Sequence, residues 1–84
     1  MACSPDDVTE LVAGLVRQLV DNPDSVEVTG TDNGSGELYV EISVDESDVG
    51  KVIGRQGRII KALRTLARAA ASQDGFRVEV ELAE

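Results

Sequence analysis

The chain has no histidine, no tryptophan and a single cysteine, Cys3. Each absence removes a class of chemistry. Without histidine, no side chain titrates near neutral pH in its unperturbed state, so ordinary general acid–base catalysis has no obvious agent. One cysteine forms no intramolecular disulfide, and Cys3 has no histidine to activate it as a nucleophile. The same shortage leaves too few soft ligands for a zinc site, so neither a metal nor a cofactor is expected. No apolar run approaches the ~20 residues that a membrane span requires. The start, Met1-Ala2-Cys3-Ser4-Pro5-Asp6-Asp7, lacks the basic-then-apolar order of a secretory signal. These features predict a reduced, cytoplasmic, non-enzymatic protein with no membrane association. Its 84 residues leave room for one hydrophobic core, and the 42% apolar content is that of a folded chain.

Positive charge is also scarce, with 8 basic residues against 16 acidic ones and a net charge of −8. That balance alone argues against a nucleic-acid partner. Its distribution argues the reverse. Residues 49–71 read VGKVIGRQGRIIKALRTLARAAA and hold Lys51, Arg55, Arg58, Lys61, Arg64 and Arg68 with no acid among them. Charges separated by more than a Debye length, about 8 Å, are largely screened, so a polyanion meets the local patch rather than the net charge.

Periodicity divides the chain into six elements. Ser4 reads as an N-cap and Pro5 as the first residue of a helix that Asn22-Pro23 stops. Val8, Leu11, Val12, Leu15, Val16 and Leu19 give this helix one apolar face, and Gly14 suggests a point of close packing. Val26 and Val28, then Leu38, Val40, Ile42 and Val44, alternate with polar residues as two strands. The turn-forming run 31–36, TDNGSG, joins them as an antiparallel hairpin. Ser47 or Asp48 is placed to cap a short helix ending at Gly54. A longer helix follows from Gly57 to about Ser72, with Ile59, Ile60, Leu63, Leu66, Ala67 and Ala70 on its apolar side. Arg58, Lys61, Arg64 and Arg68 form an adjacent basic stripe. Phe76, Val78, Val80 and Leu82 alternate as a third strand. The outward residues of the strands are mostly acidic or polar, so the helices are expected to cover one sheet face and leave the other wet.

Gly54-Arg55-Gln56-Gly57 stands between the two later helices. A tight helix–helix turn directs backbone amides outward, and the following helix aims the positive end of its dipole at the same point. This is an anion site suited to phosphate, and glycines permit close approach of a phosphodiester chain. Lys51, Arg58 and Lys61 are expected to ring the turn.

Ile53-Gly54-Arg55-Gln56-Gly57-Arg58-Ile59-Ile60 resembles the IGxxGxxI signature of KH domains, which bind RNA and single-stranded DNA. The order helix–strand–strand–helix–helix–strand resembles the type II, bacterial arrangement. With LVDNP after the first helix and VGKVIGRQGRIIKALRTL after the second strand, residues 6–82 resemble the small bacterial KhpA family. The resemblance implies an α+β fold comprising one KH domain over 1–84, with a three-stranded sheet covered by helices on one face. It implies single-stranded RNA clamped by Gly54, Arg55, Gln56 and Gly57, with Gly50, Lys51 and Val52 lining the first-helix side. KH domains do not generally depend on aromatic stacking, which suits a chain whose only aromatics are Tyr39 and Phe76. The resemblance further implies a post-transcriptional regulator or RNA chaperone, acting as a homodimer or with a larger partner of the KhpB (Jag) type. A competing reading is an adaptor whose basic strip docks an acidic protein. An enzyme acting on a phosphorylated small molecule finds no base or nucleophile beside the turn.

Overall fold

A computed structural model describes residues 4–73 and 75–83, so Cys3 lies outside the described residues. Helix α1, Pro5–Leu19, starts at a reciprocal cap. The Asp7 N–H donates to Ser4 Oγ at 3.2 Å, and the Ser4 N–H donates to Asp7 Oδ2 at 3.0 Å. Strands β1, Glu27–Asp32, and β2, Glu37–Ser43, pair antiparallel with Val28 opposite Ile42 and Gly30 opposite Val40. Their turn is built from side chains: Asp32 Oδ1 accepts the Gly34 N–H at 2.9 Å and Asn33 Oδ1 accepts the Ser35 N–H at 2.8 Å. Helix α2, Val49–Ile53, and helix α3, Arg58–Ser72, then carry the chain across to β3, Arg77–Leu82.

β3 lies parallel to β2, with Leu38 opposite Val78 and Val40 opposite Val80, giving a mixed sheet of order β1-β2-β3. A parallel neighbour needs a long crossover, and α2 and α3 supply it. The expected element order and the one-sided helical layer are both present. α1 and α3 bury Val8, Val12, Val16, Leu63 and Ala67 against Leu38, Val40, Ile42, Val78 and Val80. Tyr39, Glu41, Glu79 and Glu81 face water on the other side.

Several expectations are corrected by packing. Leu11 and Leu66, expected in the core, are 41% and 49% exposed, while Ala13 and Ala71 are buried in their helices. Each helix is rotated so that small residues meet the sheet. Gly14 is exposed with nothing near its would-be Cβ; the close approach occurs instead at Gly30, where a Cβ would strike the Thr9 hydroxyl of α1. Val44 and Phe76 lie just outside the strands and are half-buried.

Candidate nucleic-acid interface

The approach to the glycine turn is anchored by an acid. Asp45, rather than Ser47 or Asp48, caps the first turn of this region, its Oδ1 accepting from the Ser47 N–H at 2.9 Å and from Ser47 Oγ at 2.7 Å. Asp48 instead turns inward and is fully buried. Its Oδ1 accepts the Asp21 N–H at 3.2 Å, and its Oδ2 accepts the Asn22 N–H and side-chain amide, each at 3.0 Å. Lys51 completes the cluster, with Nζ 2.9 Å from Asp21 Oδ2 and 3.5 Å from Asp48 Oδ1. The LVDNP segment is thus tied to the start of α2 across the fold, which holds this one-and-a-half-turn helix and the turn after it in place.

Burial of Asp48 pushes its carboxyl pKa up, but the hydrogen bonds from Asn22, Asp21 and Lys51 outweigh this and hold it below the ordinary 3.8. A folded-state pKa below the unfolded one stabilises the protein above the unfolded pKa, and that contribution is lost as pH falls through the folded value. Asp48→Asn replaces an acceptor with an amide whose NH2 opposes the surrounding donors. Its melting temperature should therefore lie below the parent's at pH 7, and the gap should narrow on acidification below 3.8. Thermal melts of both proteins across pH 2–7 check this; a gap that stays constant would mean that the carboxylate is not the anchor.

The turn itself is set by backbone conformation. Gly54 ends α2 at φ 76°, and a Cβ there would collide with Ile59. Gln56 follows at φ 59° and Gly57 at φ 73°, two successive left-handed residues. The packing against Ile59 thus supplies a reason internal to the fold for glycine at 54, and positive φ supplies one at 57. The Gly54 N–H donates to the Gly50 carbonyl at 2.9 Å and the Gly57 N–H to the Gly54 carbonyl at 3.2 Å. Gly54, at φ 76° and ψ 174°, turns the chain out of α2 and leaves Arg55 and Gln56 at an exposed tip. They sit on an exposed turn at the start of a 15-residue helix, so their backbone amides lie at the positive end of that helix.

The remaining predicted residues separate. Arg55, Arg58, Lys61 and Arg68 are exposed, and among the described residues no carboxylate lies within ion-pair distance of them. Arg58 leans toward Gln56, donating from Nη2 to Oε1 at 3.3 Å, and also lines a groove against α1. At about 100° per residue, Arg64 and Arg68 instead lie on the other flank, along the edge of β3 that is unpaired among the described residues, with Lys61 midway between that flank and Arg58. Gly50 is exposed on α2. Lys51 is engaged by the two aspartates, so its charge is neutralised within the protein. Val52, expected to line the site, is corrected: it is fully buried in the core and offers no surface. Sequence reading also missed the role of Asp48, because a buried acid and a capping acid look alike in a string of letters.

A family model described as KhpA/KhpB, KH domain, matches residues 9–82. The RNA-binding protein KhpA of Caldanaerobacter subterraneus subsp. tengcongensis is 49% identical over 73 residues, covering 87% of this chain and 96% of that protein. The same-named protein of Halalkalibacterium halodurans is 46% identical over 72 residues, covering 86% and 93%. That of Listeria monocytogenes is 40% identical over 75 residues, covering 89% and 97%. In solved structures, the fold resembles part of Era in complex with MgGDPNP and nucleotides 1506–1542 of 16S ribosomal RNA, with a TM-score of 0.65 and 25% identity. The match covers 93% of this chain but only 30% of that Era chain. Era of Aquifex aeolicus shares the fold at a TM-score of 0.63 and 24% identity, covering 89% of this chain and 29% of its own. The signature at the turn, the order of elements and the extent of these matches agree: the chain belongs to the KhpA/KhpB family of KH domains.

Proposed function

We propose that this chain, as one KH domain with its core over residues 6–82, binds single-stranded RNA without acting as an enzyme. The observation that carries the reading is the exposed glycine turn at the start of α3, with Arg55 and Gln56 at its tip and two left-handed residues, Gln56 and Gly57, in succession. Phosphate oxygens are acceptors of the right charge for that site. Arg55 and Lys61 add positive charge beside it, and Gly54 and Gly57 keep the backbone bare. Lys51 contributes by fixing α2 rather than by touching RNA. Relatives named RNA-binding protein support the same reading.

The cellular role we assign is that of a cytoplasmic post-transcriptional regulator or RNA chaperone working with a protein partner. A groove of about 330 Å³ between α1 and α3, lined by Leu15, Leu19, Ile59, Ala62 and Leu66, favours a protein contact. A second copy of the chain or a larger KhpB (Jag)-type protein is the partner proposed for it. This groove lies on the flank of α3 away from Arg64 and Arg68, so RNA and protein need not compete.

Salt dependence tests the RNA reading. The patch can meet about 2–4 phosphates, and each contributes a slope of about −0.7 on single strands. A plot of log affinity against log salt should therefore fall with a slope of roughly −1.5 to −3, with affinity on the order of micromolar or weaker. A slope steeper than about −6, or preference for duplex, argues against single-strand binding at the turn. Equal binding of an acidic peptide of matched charge would favour the adaptor reading instead.

A further inference from the structure

The unpaired edge of β3 is covered at its centre by one side chain. The Arg77 N–H donates to the Gly36 carbonyl and the Ala83 N–H to the Ile42 carbonyl, so odd-numbered residues of β3 address β2. By strand alternation, the backbone groups of Val78, Val80 and Leu82 point away from the sheet. Arg64, on α3, donates from Nε to the Val80 carbonyl at 3.1 Å. Val80, whose side chain lies in the core, is 1% exposed although it sits on an edge strand. The other end of the guanidinium lies 3.9 Å from Glu81 Oε2, which is attraction without a hydrogen bond.

This arrangement leaves the guanidinium half-buried and oriented. An arginine carries five N–H donors, and only the Nε–H is engaged by the backbone. The remaining donors form a rigid fork beside the edge of β3. Lys61 and Arg68, three residues before it and four after it on the helix, have no such tether among the described residues. Arg64 stands seven positions after Gly57, about 10 Å along the helix at 1.5 Å per residue. A strand clamped at the turn and running along β3 would bring a base to it.

We propose that Arg64 is a specificity-determining residue that favours bases presenting two adjacent acceptors. This rests on the RNA-binding reading above. A fork of donors matches O2 and N3 of cytosine or O6 and N7 of guanine. Adenine places its N6 amino donor beside N1 and N7, and uracil separates O2 from O4 with a donor N3–H, so neither offers an adjacent pair. A free arginine would seek phosphates regardless of sequence; tethering at Nε fixes this one at the β3 edge, where a strand following β3 would present its bases.

The test is fluorescence anisotropy of labelled rC8, rA8 and rU8 with the parent protein, Arg64→Lys and the turn variant Arg55→Asp/Gln56→Asp. The parent should bind rC8 at least about fivefold more tightly than rA8, the low end of what a bidentate contact confers. Arg64→Lys keeps the charge and loses the fork, so it should bind rA8 within about twofold of the parent and lose the advantage for rC8. The turn variant should weaken all three oligomers together. Should Arg64→Lys fail to fold by circular dichroism, Arg64→Gln, whose amide can still donate to Val80 but which loses the charge, is read by the ratio of rC8 to rA8 binding alone. An rC8 preference that persists without the fork, equal weakening of rC8 and rA8, or a parent without preference overturns the assignment of Arg64 and leaves RNA binding standing. A parent that binds none of the oligomers overturns both.

Discussion

Changing Arg55 and Gln56 together to aspartate is expected to weaken single-stranded RNA binding at least about tenfold, some 1.4 kcal/mol. The fold should not change. Both side chains are exposed, neither belongs to the core, and the hydrogen bond that shapes the turn runs between Gly57 and Gly54. Gln56 lies in the left-handed region, at φ 59°, which aspartate tolerates better than most residues. Aspartate near the start of α3 also suits the positive end of that helix. The two carboxylates would nonetheless stand where phosphate oxygens are proposed to meet the Arg55 and Gln56 N–H groups, and like charge repels the ligand. The expected pattern is an unaltered circular dichroism spectrum and melting temperature with binding lost. A folded double variant that binds as tightly as the parent would remove the turn from the mechanism.

The largest expected stability effect lies at Leu63, in the middle of α3. It is 3% exposed and packs in the cluster shared by both long helices and the sheet. Leu63→Ala removes methyl groups from a close-packed site and should cost about 2–5 kcal/mol. Domains of this size are stable by roughly 0.05–0.15 kcal/mol per residue, so the variant would be marginal. Leu66, less than one turn further on, is 49% exposed on the groove side, and Leu66→Ala should change stability by no more than about 0.5 kcal/mol. Urea denaturation of the two variants separates them. Equal losses would mean that α3 presents a different face to the sheet.

That contrast also marks where sequence reading fails. Helical spacing places both leucines on the apolar side, because an amphipathic stripe on a wheel is broad. Which part of it reaches the sheet depends on the neighbours: α3 seats Ala67 and Ala71 against the strands and turns Leu66 toward α1. The glycine turn was legible for the opposite reason. Positive φ and a helix stop are local demands, and Gly54 and Gly57 meet them within four residues. Strand alternation in Leu38, Val40 and Ile42 is equally local, since successive side chains must point to opposite faces.

The order of elements, the hairpin, the sidedness of the sheet and the basic turn all follow from periods and turn chemistry within short windows of sequence. Tertiary packing is what sets β3 parallel beside β2, with a free edge that Arg64 covers. It alone decided that Asp48 is an anchor reaching back to Asp21 and Asn22, and that Lys51 is paired with acids rather than free. These are contacts between residues distant in the chain. An acid or a base carries the same letter whether it faces water, a backbone carbonyl or an opposite charge, and its role is settled by what the fold brings beside it.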